Sequence, residues 1–207
     1  MKHFVITIAR GYGSGGRIIG KLLADELGIN FYDRELLRIA SDESGINEAL
    51  FANADEQVKN NLLFRIAKNV YKGEIIPPDR DDFISNENLF NYQAKIIKQL
   101  AEKESCVIIG RCADYILKDM DHVIKLYIHA PLESCIQTVE HMKICPNKNI
   151  KSFIEMTDKR RAAYYRYFTG KEWNDAAHYD LCINSSKLSH EQCVNLVKAY
   201  IDIKCPK

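Results

Sequence analysis

The chain has 207 residues, with 29 Lys and Arg against 28 Asp and Glu, 46% hydrophobic residues and 28% charged. That length suits one large domain able to bury a sizeable core. The even charge balance gives no global basic excess to attract nucleic acid or an anionic membrane surface, so any anion site must come from local clustering of cations.

The opening stretch MKHFVITIARGYG holds an apolar run too short for a signal peptide, and no later run approaches a membrane-spanning length. A cytoplasmic protein is expected, with no membrane partner. Residues 3–9 (HFVITIA) are β-branched and apolar and end at a glycine cluster, which reads as a buried strand. A helix should follow, because Ile18, Ile19, Leu22, Leu23, Ala24 and Leu27 recur at helical spacing and Gly28 stops it. Residues 29–32 form a second, short strand ending at Asp33. Segment 34–104 holds no convincing strand; helical stretches are expected at about 34–44, 55–72 and 87–104, with a turn-rich piece at 73–85 that contains Pro77 and Pro78. Strand-like runs return at 106–110 (CVIIG), 122–129 (HVIKLYIH) and 180–184 (DLCIN). A basic, aromatic-rich helix lies at about 151–168 between the last two. Residues 189–204 close the chain as an amphipathic helix with Cys193, Leu196, Val197 and Tyr200 inward.

Continuous apolar strands alternating with helices predict a parallel sheet covered on both faces. The block 34–104 interrupts that alternation and reads as a helical insertion over the sheet's carboxyl edge, within a single domain spanning 1–207. The seven cysteines show no metal-ligand spacing and read as buried free thiols; the six histidines show no ligand pattern either.

The glycine loop admits two motifs. Gly11, Gly13 and Gly16 satisfy G-x-G-x-x-G, with Asp33 at the end of the second strand where a dinucleotide fold places its ribose-binding acid. Gly11 and Gly16 equally satisfy G-x-x-x-x-G, with Arg17 where a P-loop carries lysine and Ile18 where it carries Ser or Thr. In either motif, backbone N–H groups curl around a phosphate that faces the positive end of a helix. The cation at position 17 favours the P-loop and a nucleoside triphosphate held by Gly11, Tyr12, Gly13, Ser14, Gly15, Gly16, Arg17 and Ile18. A side chain at Gly16 is expected to fill the phosphate cradle without unfolding the protein.

Downstream cations fit phosphoryl transfer, which needs positive charge over both substrates and a lid that excludes water. The strand CVIIG runs directly into Arg111, placing a guanidinium at the sheet's carboxyl edge. The segment DKRRAAYYRYFTGKEW (158–173) gathers Lys159, Arg160, Arg161, Arg166 and Lys171 with Tyr164, Tyr165, Tyr167 and Phe168. It reads as a mobile lid or, alternatively, as a fixed helix whose tyrosines pack and whose cations face water.

Together GYGSGGRIIGKLLADELGINFYD, VIIGRCADYIL, DKRRAAYYRYFTG and DLCINSS resemble the cytidylate kinase-like family of nucleoside monophosphate kinases, in the right order along nearly the whole chain. The resemblance implies a P-loop NTPase-type three-layer α/β sandwich with a five-stranded parallel sheet, a helical substrate-binding insertion at about 34–104 and a short arginine-bearing lid at about 151–173. It implies ATP and Mg²⁺ as cofactors and a nucleoside monophosphate as acceptor, with CMP as one candidate. Residue by residue, Gly11–Arg17 resembles the ATP phosphate loop. Asp33 and Arg34 fall where the monophosphate-binding segment opens, Arg111 matches the family's Gly-Arg motif, and Arg160 and Arg161 match lid arginines. The chain departs from an authentic cytidylate kinase in carrying Arg17 for lysine, Ile18 for the Mg²⁺-ligating hydroxyl, and Cys112 for the Asp after Gly-Arg, which leaves Asp114 as the nearest carboxylate.

The leading expectation is an ATP-dependent phosphotransferase acting through Arg17, Arg111, Arg160 and Arg161 on a small phosphate acceptor held by Asp33, Arg34, Arg111 and Asp114. A catalytically degenerate nucleotide-binding sensor is the alternative, favoured by Ile18 and Cys112. A nicotinamide dehydrogenase rests on G-x-G-x-x-G alone.

Overall fold

A computed structural model describes residues 3–57, 74–80, 82–143 and 149–204. Strand β1 (Val5–Arg10) is followed by helix α1 (Gly16–Leu27), β2 (Asn30–Tyr32), α2 (Glu35–Ser44), α3 (Glu48–Gln57), α4 (Asn86–Lys103), β3 (Cys106–Ile109) and the single turn α5 (Ala113–Ile116). Then come β4 (Val123–His129), α6 (Leu132–Met142), α7 (Ile150–Thr169), β5 (Leu181–Asn184) and α8 (His190–Lys204). The five strands form one parallel sheet in the order β2-β3-β1-β4-β5.

The apolar strands alternate between two cores. Val5, Ala9, Cys106 and Ile108 face the core shared with α2, α3, α4 and α7, while Ile6, Ile8, Val107 and Ile109 face the core shared with α1 and α8. Both faces of β1 and β3 are therefore dry, which is why these strands read as unbroken apolar runs. The crossing from β1 to β3 and β4 brings three strand ends side by side, so residues 10, 110–111 and 129 meet at one edge.

The described helices between β2 and β3 pack in the core they share with α7 through buried contacts. Asn88, fully buried at the start of α4, accepts from the Ile76 amide at 2.8 Å and donates to the carbonyls of Ile76 and Phe83. This binds the segment around Ile76 and Phe83 to the helix. Phe90 stacks on Phe168 at 4.0 Å between centroids, which joins α4 to α7.

The structure differs from the sequence expectations in four places. Helix α6 is absent from those expectations, because Cys135 and Val139 are its buried residues and they make a narrow stripe. Helix α3 begins seven residues before the expected start at 55, and the remainder of that expected helix lies outside the described residues. In α8 the inward set is Cys193, Val194, Val197 and Ile201, while Leu196 is 48% exposed. Cys182 is exposed rather than buried, because β5 is an edge strand that turns only Ile183 inward; Cys106, Cys112, Cys135 and Cys193 are buried free thiols as expected. Cys145 and Cys205 lie outside the described residues.

Candidate functional site

The glycine loop leaves the carboxyl end of β1 while still tied to the sheet, since the Gly11 amide donates to Ile128 O at 3.0 Å. Gly13 and Gly15 take left-handed backbone angles, with φ of 82° and 76°. A Cβ at Gly13 would lie 2.8 Å from the Cys135 carbonyl oxygen, and one at Gly15 would lie 2.7 Å from His190 Nε2, so conformation and space both demand glycine. Gly15 is the N-cap of α1 and supplies no side-chain cap, leaving the first amides of the helix for another acceptor. Ser14 is buried, and its hydroxyl donates to Gly11 O at 2.8 Å, while Ser185 Oγ donates to Ser14 O at 2.7 Å from the far side of the loop.

Gly16 corrects one expectation. A Cβ there would point away from the cradle, 2.6 Å from Arg10 Cβ and 3.3 Å from Ile128 Cβ. This glycine is required by packing between α1 and the sheet.

Charged groups crowd the same edge. Arg17 Nε pairs with Asp33 Oδ2 at 2.6 Å, its side chain 64% exposed and the acid nearly buried. Arg34 follows at the exposed start of α2. Gly110, Arg111 and Cys112 run through three consecutive left-handed conformations, with φ of 67°, 59° and 54°. Two non-glycine residues held this way cost of order 1–3 kcal/mol each, a cost that structures accept mostly at functional sites. Burial pulls the Arg111 pKa down, with Tyr164 and Asp33 acting against that shift and Arg34 adding to it.

From α7, Arg161 Nη1 donates to Arg10 O at 3.1 Å and to Asp158 Oδ1 at 3.2 Å, and its guanidinium lies 5.4 Å over the Tyr12 ring. Asp158 accepts the Tyr12 amide, and desolvation raises its pKa despite Arg161. Arg160 has a buried Nε with no hydrogen-bond partner among the described residues. Asp114 sits in the core, where it accepts from Tyr165 Oη at 2.6 Å.

The residue that sequence reasoning missed is Arg10. Its side chain runs along Gly16, and a Cβ at Gly110 would collide with its Nη1. Desolvation, then repulsion from Arg161 and Arg111, lowers its pKa to about 9 against the opposing pull of Asp33 and Asp158. An arginine closing a strand gives no sequence signal beyond surface charge. The two glycines that make room for this one, Gly16 and Gly110, stand far apart in the chain. Beside the loop, a polar cavity of about 290 Å³ is lined by Gly13, Gly15, Gln137, His141, Ser186 and His190, among others.

The strand-loop-helix unit at the carboxyl edge of a five-stranded parallel sheet defines an α/β P-loop protein. Residues 5–187 match the model of the Cytidylate kinase-like family. The chain belongs to that family. Cytidylate kinase from Methanopyrus kandleri is 23% identical over 207 residues, covering 96% of this chain and 93% of the relative. Cytidylate kinase from Pyrococcus horikoshii is 24% identical over 204 residues, covering 96% and 88%. Among solved structures, an uncharacterized protein from Eubacterium ventriosum superposes with a TM-score of 0.71 at 27% identity, covering 98% of this chain and 99% of that one. Shikimate kinase from Acinetobacter baumannii, in complex with shikimate, superposes with a TM-score of 0.54 at 14% identity, covering 100% and 97%, a likeness of fold alone.

Proposed function

We propose that the protein is an ATP-dependent phosphotransferase of the nucleoside monophosphate kinase type. The observation that carries this reading is the convergence of Arg10, Arg111 and Arg161 on the carboxyl edge of the sheet, beside a glycine loop whose helix amides have no side-chain cap. Asp33 and Asp158 are the acids within their field, and each is already engaged, Asp33 by Arg17 and Asp158 by Tyr12 and Arg161. A polyanion is the ligand such a surplus of positive charge favours. The family membership and the names of its relatives support the choice of a nucleotide.

In this reading the loop Gly11–Ile18 cradles the donor's phosphates, and Asp33, Arg34 and Arg111 hold the acceptor at the adjacent strand end. The helices of 34–104 form the acceptor-binding insertion. Arg160 and Arg161, on the 151–173 lid segment, cover the phosphates from α7. Phosphoryl transfer needs no covalent intermediate with the protein; positioning and stabilisation of charge on the transferred group suffice. The loop fits the phosphates, and among the described residues no cluster of three or more His, Cys, Asp or Glu side chains offers Mg²⁺ a ready-made ligand set. Position 18 is isoleucine, and the Ser14 hydroxyl is engaged by Gly11 O. Mg²⁺ would arrive on the nucleotide's own phosphates and water.

A coupled assay with ATP and a panel of nucleoside monophosphates, CMP included, tests the reading. Turnover with one monophosphate well above the ATPase background is expected. ATP binding without turnover of any acceptor would favour the second reading, a nucleotide-binding sensor, which Ile18 and Cys112 support.

A further inference from the structure

Two arginines compete for the role of the cation that meets the nucleotide's phosphates. Arg17 occupies the expected position on the first turn of α1, yet its side chain is 64% exposed and its Nε is held at 2.6 Å by Asp33. Arg10 is different in each respect. Its stem lies against Gly16, and its guanidinium reaches across the end of β3 above Gly110, so it stands between the glycine loop and Arg111.

This guanidinium is half-buried at the mouth of the cleft, and the protein leaves it unsatisfied. Among the described residues it makes no hydrogen bond and no ion pair, although guanidinium carries five donors. The acids close enough to be felt, Asp33 and Asp158, direct their oxygens at Arg17, Tyr12 and Arg161 instead. Meanwhile the positive charges of Arg161 and Arg111 bear on it. An arginine with a structural role in such a half-buried place is ordinarily satisfied by a paired carboxylate or a set of carbonyl acceptors. Arg10 has neither, and what would satisfy it is an anion entering from the cleft.

We infer that Arg10 is the principal phosphate-binding cation of the site, the role a P-loop otherwise gives to the residue at position 17. The inference rests on the reading of Gly11–Arg17 as a phosphate site and assigns its central contact. Arg10 is held in place from behind by its own backbone, since its carbonyl accepts from Arg161 Nη1, so the arginine from α7 and the arginine from β1 form one cationic unit. A planar guanidinium at this point can engage two phosphate oxygens at once.

The test compares Arg10→Gln, Arg10→Lys and Arg17→Gln with wild type by titration of ATP and of inorganic tripolyphosphate, together with thermal melting in the absence and presence of each. Removing charge-assisted hydrogen bonds should weaken ATP binding by roughly ten- to hundred-fold in Arg10→Gln, with a smaller effect in Arg10→Lys. Arg17→Gln should change it by about three-fold or less, as for an exposed pair. Melting separates this from a bracing role. Removing an unpaired charge that other arginines repel should leave the ligand-free Tm of Arg10→Gln unchanged or higher, and should abolish the Tm rise caused by ATP. A lowered ligand-free Tm with ATP affinity retained would make Arg10 a structural brace and overturn the inference, leaving the nucleotide reading intact. Arg10-dependent binding of tripolyphosphate with no preference for ATP would do the reverse, keeping Arg10 as the phosphate cation while the nucleotide reading fails. Wild type that binds neither ligand would overturn both.

Discussion

Asp158 places both carboxylate oxygens on the amide of Tyr12, at 2.9 and 3.1 Å, across 146 residues of chain. A loop amide that a phosphate would use is thus already engaged by an acid from α7. The same carboxylate holds Arg161. Nucleotide binding must displace this acid or work around its charge. Asp158→Ala is expected to tighten ATP binding by roughly three- to ten-fold, the worth of one ordinary hydrogen bond no longer competed for. Calorimetric titration measures it, and weaker binding would show that Asp158 orients the loop for its ligand.

Gly16 offers a prediction about packing. A Cβ there meets Arg10 Cβ and Ile128 Cβ, both fixed to the sheet. Gly16→Ala should destabilise the fold by roughly 1–3 kcal/mol through overpacking. Urea unfolding reads the difference, and an unchanged midpoint would mean that α1 can shift away from β1 without cost.

The sheet and its glycine loop are legible in the sequence because β1 and β3 are buried on both faces and show as continuous apolar runs, while β4 keeps Val123, Ile124, Leu126 and Ile128 inward around a partly exposed Lys125 and Tyr127. Edge strand β5 is legible too, but the side on which Cys182 falls depends on which face is covered, and that is a property of the assembled sheet. Helix α6 is hidden for a related reason: it rests on the loop through Cys135 and Val139, and two buried residues in eleven make no periodic signal. Within the site, Arg111 and Arg161 are readable as cations beside recognisable motifs. Arg10 is not, because its environment is built from Gly16, Gly110 and α7, which only the fold brings together.

Asp114 gives a pH dependence. Burial raises its pKa above the ordinary 3.8, although the Tyr165 hydroxyl bond opposes the shift. The folded state then holds the proton more tightly than the unfolded chain, so this group's contribution to stability falls as pH rises from the unfolded value through the folded one. Asp114→Asn lacks that decline and can still accept from Tyr165. The variant should match wild type near about pH 4 and become the more stable of the two toward about pH 7. Denaturant titrations at several pH values would show it. A variant that loses ground as pH rises would mean that the Asp114 carboxylate is favourably paired when charged.

Helix α7 carries two jobs on one rod, and they divide along its length. Tyr164, Tyr165 and Phe168 are buried, Phe168 stacks on Phe90, and Tyr165 bonds Asp114, so the carboxyl half is part of the core. The preceding turn carries Asp158, Arg160 and Arg161, and the hydrogen bonds of Asp158 and Arg161 go to the loop and to Arg10 O. If this half acts as a lid, its order should depend on phosphate while that of the other half does not. Hydrogen exchange followed by peptide mass distinguishes the two. Amides of 164–169 should be protected in the free protein and remain so, whereas those of 150–161 should gain protection when a non-hydrolysable ATP analogue is added. Replacing Arg160 and Arg161 together by alanine should remove that gain and slow phosphoryl transfer by roughly two to four orders of magnitude, at about 1.5–3 kcal/mol for each charge-assisted hydrogen bond to phosphate that disappears. The melting temperature should fall only modestly, because Arg161 gives up its bonds to Arg10 O and Asp158 while the Tyr164, Tyr165 and Phe168 contacts that anchor α7 stay intact. Equal protection of both halves with and without the analogue would make all of α7 fixed scaffold and would refute the lid.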